Sequence, residues 1–204
     1  MNNLTKLILI AICIPSLLLT ACNNQPQLQN SPPPSPSASP LASPTPTALP
    51  EEITVNVRRE GSEEKIVAYK TNGSKGLIIY LFPEFMLTQD EGFDILIPKP
   101  DSGYLPVSMT ISRNTEDLSV DEALKKAMNF YPNVSFEPAT FNYTLSGNID
   151  TVKCVWGKLD NDWVICVGMK GKNGTVSAWG QGGAETSEGL QVLVLAQLST
   201  IVLE

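Results

Sequence analysis

The side chains that most often carry out chemistry in proteins are unevenly represented in this chain. It has four cysteines and no histidine among its 204 residues. The lack of histidine removes the usual general base, the Ser-His and Cys-His nucleophile pairs and the commonest zinc ligand. The sequence therefore predicts a protein that is not an enzyme and that holds no metal and no cofactor.

Pairs of carboxylates are the remaining route to acid–base catalysis. Asp160 and Asp162 stand two residues apart, but they fall in a predicted hairpin loop, where Asp is favoured because it suits turn conformations. Glu84, Asp94 and Asp101 are distant in sequence and could converge only through the fold. An envelope hydrolase that uses such carboxylates is the alternative to a non-enzymatic role.

One cysteine, Cys22, stands in the stretch "LLLTACNNQ", residues 17 to 25. A single lysine and then an apolar run over residues 7 to 21 precede it, and this run is short for a permanent membrane span but suits a signal-peptide core. Residues 19 to 22, Leu-Thr-Ala-Cys, resemble the bacterial lipobox. That resemblance implies a signal peptide over residues 1 to 21 and acyl chains such as palmitate on Cys22. An ordinary cleaved signal with an incidental cysteine is the other interpretation.

The residues after Cys22 have the composition of a tether. Residues 22 to 50 include no charged side chain, and residues 31 to 50, "SPPPSPSASPLASPTPTALP", hold eight of the 16 prolines. Such a segment cannot bury enough apolar surface to fold and should be an extended, disordered linker with polyproline II character. At about 3.1 Å per residue, it could hold a domain roughly 60 Å from a membrane.

Residues 51 to 204 are long enough for a single globular domain with its own core. They contain all 21 acidic residues but only 13 of the 14 basic ones, because Lys6 precedes them. A net negative domain without a basic run is a poor candidate for binding nucleic acid, and anionic lipid surfaces repel it. Contact with the membrane is therefore expected through the lipid on Cys22.

The other cysteines of this domain, Cys154 and Cys166, flank "KLDND" in two runs rich in β-branched and aromatic residues, which predicts a β-hairpin. A three-residue loop, 159 to 161, would place the two cysteines opposite each other, where an oxidising compartment favours a disulfide. A four-residue loop would shift the pairing by one. Two free buried thiols are the other interpretation.

The remaining pattern predicts an α+β domain. Runs of alternating apolar residues indicate strands at "ITVNVRR" and "KIVAYKT" around Gly61, and then at "GLIIYLF", "FDILIP", "VSMTIS", "ATFNYTL" and "VSAWG". The segment "SVDEALKKAMNFY" has a helix signature, with Ser119 as the N-cap and Glu122 completing a capping box. The segment "SEGLQVLVLAQLSTIVL" predicts a closing helix, although its valines also permit a strand.

The order of these elements resembles the PsbP-like and DcrB-like superfamily of small exported domains. The resemblance covers about residues 76 to 204 and rests on "GLIIYLFPEF" followed by "GFDILIPKP", on the capped helix at Ser119, and on the glycine at Gly147 within "LSGNIDTVKCVWG". It implies an antiparallel β-sheet flanked by helices, an α/β/α sandwich, in a non-enzymatic membrane-associated accessory or binding protein. The histidine-containing metal sites of some photosynthetic members have no counterpart here.

These observations predict a lipid-anchored, extracytoplasmic lipoprotein of the cell envelope, attached to the cell membrane or the outer membrane. Its expected role is that of an accessory or binding module for an envelope or membrane complex, with a protein partner at the membrane. The residues that would bind that partner do not emerge from the sequence.

Overall fold

The computed structural model describes residues 48–59, 61–104, 107–184 and 190–204. Cys22, the signal peptide and the tether up to residue 47 lie outside the described residues. Among the described residues, no helix has the length and apolar character that crossing a membrane requires.

A four-stranded antiparallel sheet contains the first three strands and the last one. Its strands are β1 (Glu52–Arg59), β2 (Ser62–Asn72), β3 (Leu77–Leu81) and β11 (Val202–Leu203), in the order β1-β2-β3-β11. β1 and β2 form the predicted hairpin around Gly61, whose φ of 85° is a conformation that suits glycine. Among the described strands, β1 is an edge strand, because β2 is its one neighbour there.

The second antiparallel sheet has seven strands in the order β4-β5-β6-β10-β9-β8-β7. Their bounds are β4 (Phe85–Asp90), β5 (Phe93–Pro98), β6 (Val107–Asn114), β7 (Phe136–Ala139), β8 (Ile149–Leu159), β9 (Asp162–Gly171) and β10 (Gly174–Gly183). The long, β-branched strands β9 and β10 lie at the centre. Both are buried along most of their length, and β9 is apolar from Trp163 to Val167.

Helix α1 (Val120–Met128) covers one face of the seven-stranded sheet. Its capping box forms as the sequence predicts: the Ser119 hydroxyl accepts the Glu122 N–H, and the Glu122 carboxylate accepts the Ser119 N–H. Leu124 packs against the strand residues Val164, Cys166 and Trp179. The approach is so close that a Cβ on Gly168 of β9 would lie 2.5 Å from the Val120 carbonyl oxygen.

The main core contains residues from both sheets together with helix α2 (Leu190–Leu198). Ile66 of β2, Ile111 of β6 and Ile165 of β9 are buried in this cluster with Leu193 of α2. Residues 193 to 200 are all buried, which fits a helix that is apolar on every side. α2 is therefore an internal helix of the core.

The fold class predicted from the sequence, an α/β/α sandwich with flanking helices, is wrong. Strands account for 55% and helices for 14% of the described residues, which form two helices and two antiparallel sheets. The helix predictions at Ser119 and in the last 20 residues are correct in kind, but the latter helix ends at Leu198 and a short strand follows it. The prediction missed that the strands divide between two sheets, because strand patterns do not state which strands pair.

Two further strand predictions differ from the structure. "ATFNYTL", residues 139 to 145, is irregular after Ala139, although its residues still alternate between half-buried and exposed. β4 was not predicted; it pairs with β5 across a tight turn at Glu91 and Gly92, both at positive φ. Alternation of apolar and polar residues indicates that one side of a segment is buried. The segment is a β-strand only if its backbone also forms hydrogen bonds with a neighbouring strand.

Candidate functional site

The hairpin of β8 and β9 places Cys154 and Cys166 on opposite faces of the seven-stranded sheet. Its loop has two residues, Asp160 and Asn161, with Asp160 at a φ of 54°. In this register Cys154 faces Val167, whereas Cys166 faces Val155. The predicted opposition of the two cysteines is therefore wrong, because a register different by one residue turns one side chain to the other face.

Both cysteines are free thiols in buried positions. Cys154 lies in the main core, and Cys166 lies beneath α1. Burial raises the pKa of the Cys154 thiol to about 12, and burial together with the nearby Cys154 thiol raises the pKa of Cys166 to about 12. Such thiols are protonated at neutral pH and are poor nucleophiles.

Among the carboxylates considered as catalytic candidates, Asp94 has a structural role. Asp94 is buried and accepts hydrogen bonds from the Ser74 N–H at 2.8 and 2.9 Å, from the Ser74 hydroxyl at 2.9 Å and from the Gln89 amide at 3.1 Å. These bonds hold the turn of residues 74–76 against β5. The carboxylate of Asp94 therefore serves to stabilise the fold.

The other carboxylates are dispersed. Asp101 and Asp160 are exposed, while Glu84 is half-buried before β4. Asp162 lines a groove of about 670 Å³ at the end of β10, together with Lys99 and Gln181. Within the described ranges, no three carboxylate or thiol side chains cluster as metal ligands would.

A larger groove, of about 720 Å³, lies beside the edge strand β1 and is called the β1 groove here. Its apolar part comes from Ile53, Val55 and Val57 of β1, with Tyr80 and Val202 from the same sheet. Residues 142–147 form the opposite wall. The groove is thus a cleft between the free edge of β1 and the irregular segment 142–147.

The hydrogen bonding of β1 shows which of its backbone groups face the free edge. The Lys70 N–H donates to the Glu51 carbonyl at 2.8 Å, and the register continues with Glu52 opposite Tyr69. Because bonded and non-bonded pairs alternate in antiparallel strands, the odd-numbered residues of β1 bond to β2. The N–H and C=O groups of residues 52, 54, 56 and 58 point away from β2. No backbone hydrogen bond to them occurs among the described residues.

The opposite wall of the β1 groove is tied to the C-terminal part of the core. The Tyr143 hydroxyl donates to the Val192 carbonyl at 3.0 Å, and the Ser146 N–H donates to the Ser199 carbonyl at 2.8 Å. Gly147 has a φ of 65°, and a Cβ there would lie 2.7 Å from Val202. These contacts explain why the irregular segment 142–147 keeps a defined path next to the groove.

The first described residues also belong to this site. The Tyr80 hydroxyl donates to the Pro50 carbonyl at 2.9 Å, and Leu49 packs against the core. From composition, Leu49 and Pro50 are predicted to belong to the tether, and the structure corrects this boundary. Leu49 and Pro50 both line the β1 groove, so the chain enters the domain at this site.

The β1 groove was missed by the sequence analysis. Part of it can be read from the sequence, since residues 52 to 59 alternate between apolar and polar side chains and contain no proline, as a regular strand would. The sequence does not show that this strand is unpaired on one side. Comparisons with family models, with curated proteins and with solved structures find no match for this chain.

Proposed function

We propose that this chain is a lipid-anchored, extracytoplasmic binding module that captures an extended segment of another protein chain in the β1 groove. The observation that carries the proposal is the free edge of β1. Its unpaired N–H and C=O groups at residues 52, 54, 56 and 58 stand beside a cleft of about 720 Å³. Addition of a strand satisfies such groups and is a common mode of peptide recognition.

The composition of the groove favours an extended peptide as its occupant. Ile53 and Val55 are half-buried, and their side chains point to the inner side of the sheet. A strand added at the edge would cover them with its own alternate side chains, while its backbone bonds to β1. Main-chain bonds supply affinity in this mode, and the apolar pockets supply selectivity.

The anchor is supported by the sequence alone, through the lipobox-like residues 19 to 22 and the uncharged proline-rich residues that follow. Two or more acyl chains on Cys22 would hold the domain stably at a membrane. A partner in the same membrane would then meet the groove at a high effective concentration. An accessory role in an envelope or membrane complex follows from this arrangement.

A non-enzymatic role is supported by how the reactive side chains are used. Asp94 is occupied by Ser74 and Gln89, and both thiols are buried with a raised pKa. Neither group is presented to the β1 groove. The groove offers backbone groups, apolar surface and the charged side chains of Arg58 and Glu63, a combination that suits binding of a peptide.

The test is a pull-down from solubilised membranes with Asn56→Pro in the full chain. Proline removes the outward N–H of residue 56 and obstructs an added strand, but it leaves the β1–β2 bonds, which use odd-numbered residues. We expect loss of the captured partner, whereas Asn56→Ala, which keeps the N–H, retains it. Equal recovery of the partner with both variants at equal thermal stability would contradict binding at this edge.

A further inference from the structure

Among the sheet edges of the described residues, the β1 edge is the longest. β4 has six residues, β7 has four and includes Pro138, and β11 has two. β1 has eight residues, pairs with β2 without a register shift and contains no proline. Long regular edges pair with other strands unless something blocks them. The sequence of β1 itself indicates which strand it would accept.

The backbone of β1 restricts any strand that pairs with it to a few registers. The free groups belong to residues 52, 54, 56 and 58, so two copies of β1 can bond only when these residues face one another. A one-residue slip would oppose free groups to groups already bonded to β2. For a two-fold antiparallel pair, an axis through Thr54, Val55 or Asn56 opposes at least three of these four residues in each copy, whereas an axis further along the strand opposes only two or fewer.

The side chains of β1 distinguish these three registers. An axis at Val55 places Glu52 opposite Arg58 of the partner subunit, twice by symmetry, and Thr54 opposite Asn56 of the partner subunit. An axis at Thr54 instead opposes Glu52 to asparagine, and an axis at Asn56 opposes Arg58 to threonine. Unlike charges stabilise cross-strand pairs, so the Val55 register is favoured over the other two.

The same register matches the inner face of the strand. Val55 meets its own symmetry copy, and Ile53 meets Val57 of the partner subunit. Ile53 and Val55 are half-buried in the single chain, so pairing would bury more of their apolar surface. The outer face carries charges and the inner face carries β-branched residues, and both are self-complementary about one axis.

We propose that the extended segment bound at the β1 edge is β1 of a second copy of this chain, paired antiparallel about a two-fold axis at Val55. The inference rests on the proposed function and names the partner that the edge takes. The two four-stranded sheets become one continuous eight-stranded sheet through an isologous interface. Anchoring both copies in one membrane raises their effective concentration for pairing.

The first test is disulfide trapping of Val55→Cys in the full, membrane-bound chain. Residue 55 meets its copy in a non-hydrogen-bonded pair, where Cα atoms lie about 4.5 Å apart, within reach of a disulfide. Mild oxidation should give a dimer on a non-reducing gel. Val67→Cys is the matched control, since Val67 is an exposed valine of β2 at 39% exposure and lies away from the axis. Buried Cys154 and Cys166 contribute no background.

The second test reverses one charge in the Val55→Cys background. Glu52 faces Tyr69 within its own hairpin, so Glu52→Arg introduces no like-charge pair there. Across the axis, however, it replaces two Glu–Arg pairs with two Arg–Arg pairs. We expect trapping to fall about tenfold, which corresponds to a loss of about 1.4 kcal/mol over two pairs. Co-expression with an Arg58→Glu/Glu63→Arg chain should restore a mixed dimer, because each unlike pair across the axis is then re-formed while residue 58 still faces an opposite charge at residue 63 of its own hairpin.

The outcomes separate this inference from the proposed function. Equal trapping of Val55→Cys and Val67→Cys, or trapping that ignores Glu52→Arg, would overturn self-pairing. A chain that is not trapped but still recovers a different protein in an Asn56→Pro-sensitive manner would keep the proposed function and refute the second copy as the partner. If Val55→Cys is not trapped and no protein is recovered in an Asn56→Pro-sensitive manner, binding at the β1 edge is refuted altogether.

Discussion

At the scale of single residues, burial determines the reactivity of the two cysteines in this domain. The Cys154 and Cys166 thiols sit on opposite faces of one sheet, each packed among apolar neighbours. Removal from water disfavours the thiolate, and this raises the pKa of each to about 12. Both residues therefore act as small hydrophobic side chains of the core.

The first prediction is that neither thiol reacts with iodoacetamide in the folded protein at pH 8, because alkylation requires the thiolate. Unfolding in denaturant should make both thiols reactive at once, and mass spectrometry after brief labelling measures the difference. Rapid alkylation of Cys154 or Cys166 in the native protein would contradict the buried positions assigned here.

The same pKa values predict how stability depends on pH. Unfolded thiols ionise near the ordinary pKa of 9.0, whereas the folded thiols ionise near 12. Between these values the unfolded state alone releases protons, so the free energy of unfolding should fall as the pH rises from about 9 to about 12. Denaturant unfolding at pH 8 and pH 10.5 checks this. The Cys154→Ala/Cys166→Ala variant should lose less stability over the same interval.

At the scale of elements, α2 is joined to β3 by Gln197, one of the two glutamines in a helix whose other residues are apolar. Gln197 is fully buried; its carbonyl oxygen accepts the Phe82 N–H at 2.8 Å, and its amide donates to the Tyr80 carbonyl at 2.5 Å. β3 pairs with β11 only at residues 77 and 78, so its C-terminal end lacks a strand on that side. Gln197 supplies the missing hydrogen bonds together with the Thr200 hydroxyl, which accepts the Tyr80 N–H at 3.2 Å and donates to the Tyr80 carbonyl at 3.0 Å.

We therefore expect Gln197→Leu to lower the free energy of unfolding by about 1–3 kcal/mol, since the buried Phe82 N–H loses its partner and the Tyr80 carbonyl keeps only the Thr200 hydroxyl. Urea denaturation measures the change. Gln181→Leu is the matched control, because Gln181 is exposed near the end of β10 and its substitution should change stability by less than about 0.5 kcal/mol. Equal stability of the two variants would show that the Gln197 bonds are not needed.

At the scale of the whole molecule, the proposed lipid anchor and the folded domain depend on different residues of the chain. The core is formed by described residues between 48 and 204, whereas the acylation site at Cys22 is an interpretation of the lipobox-like sequence. Leu49 and Pro50 already contact the domain, so a free linker would end before them. Loss of the lipid should then leave the folding of the domain unaffected.

The corresponding prediction concerns Cys22→Ser, which removes the thiol that acylation requires. We expect the variant to leave the membrane fraction while keeping the melting temperature of the wild-type domain, because residue 22 lies far before the first core residue. Fractionation of cells followed by thermal unfolding measures both properties. A variant that still needs detergent for extraction would contradict lipid attachment at this cysteine.

The sequence by itself determined most local structure, because local structure depends on neighbouring residues. Ser119 and Glu122 predicted the start of α1, and Gly61 predicted the β1–β2 turn. Period-two patterns predicted most strands correctly. The lipobox-like residues before Cys22 likewise form a local signal, which the described structure does not reach.

The tertiary structure alone decided how these elements pair, because pairing depends on residues far apart in the chain. "KLDND" permits more than one loop length, and the two-residue turn at Asp160 set the register that separates the cysteines. Residues 140–145 alternate like a strand, yet the Tyr143 hydroxyl bonds to Val192 of α2 and the N–H of the next residue but two, Ser146, bonds to Ser199 just after α2. The β1 groove exists for the same reason: nothing within residues 52–59 states that one side of that strand remains unpaired.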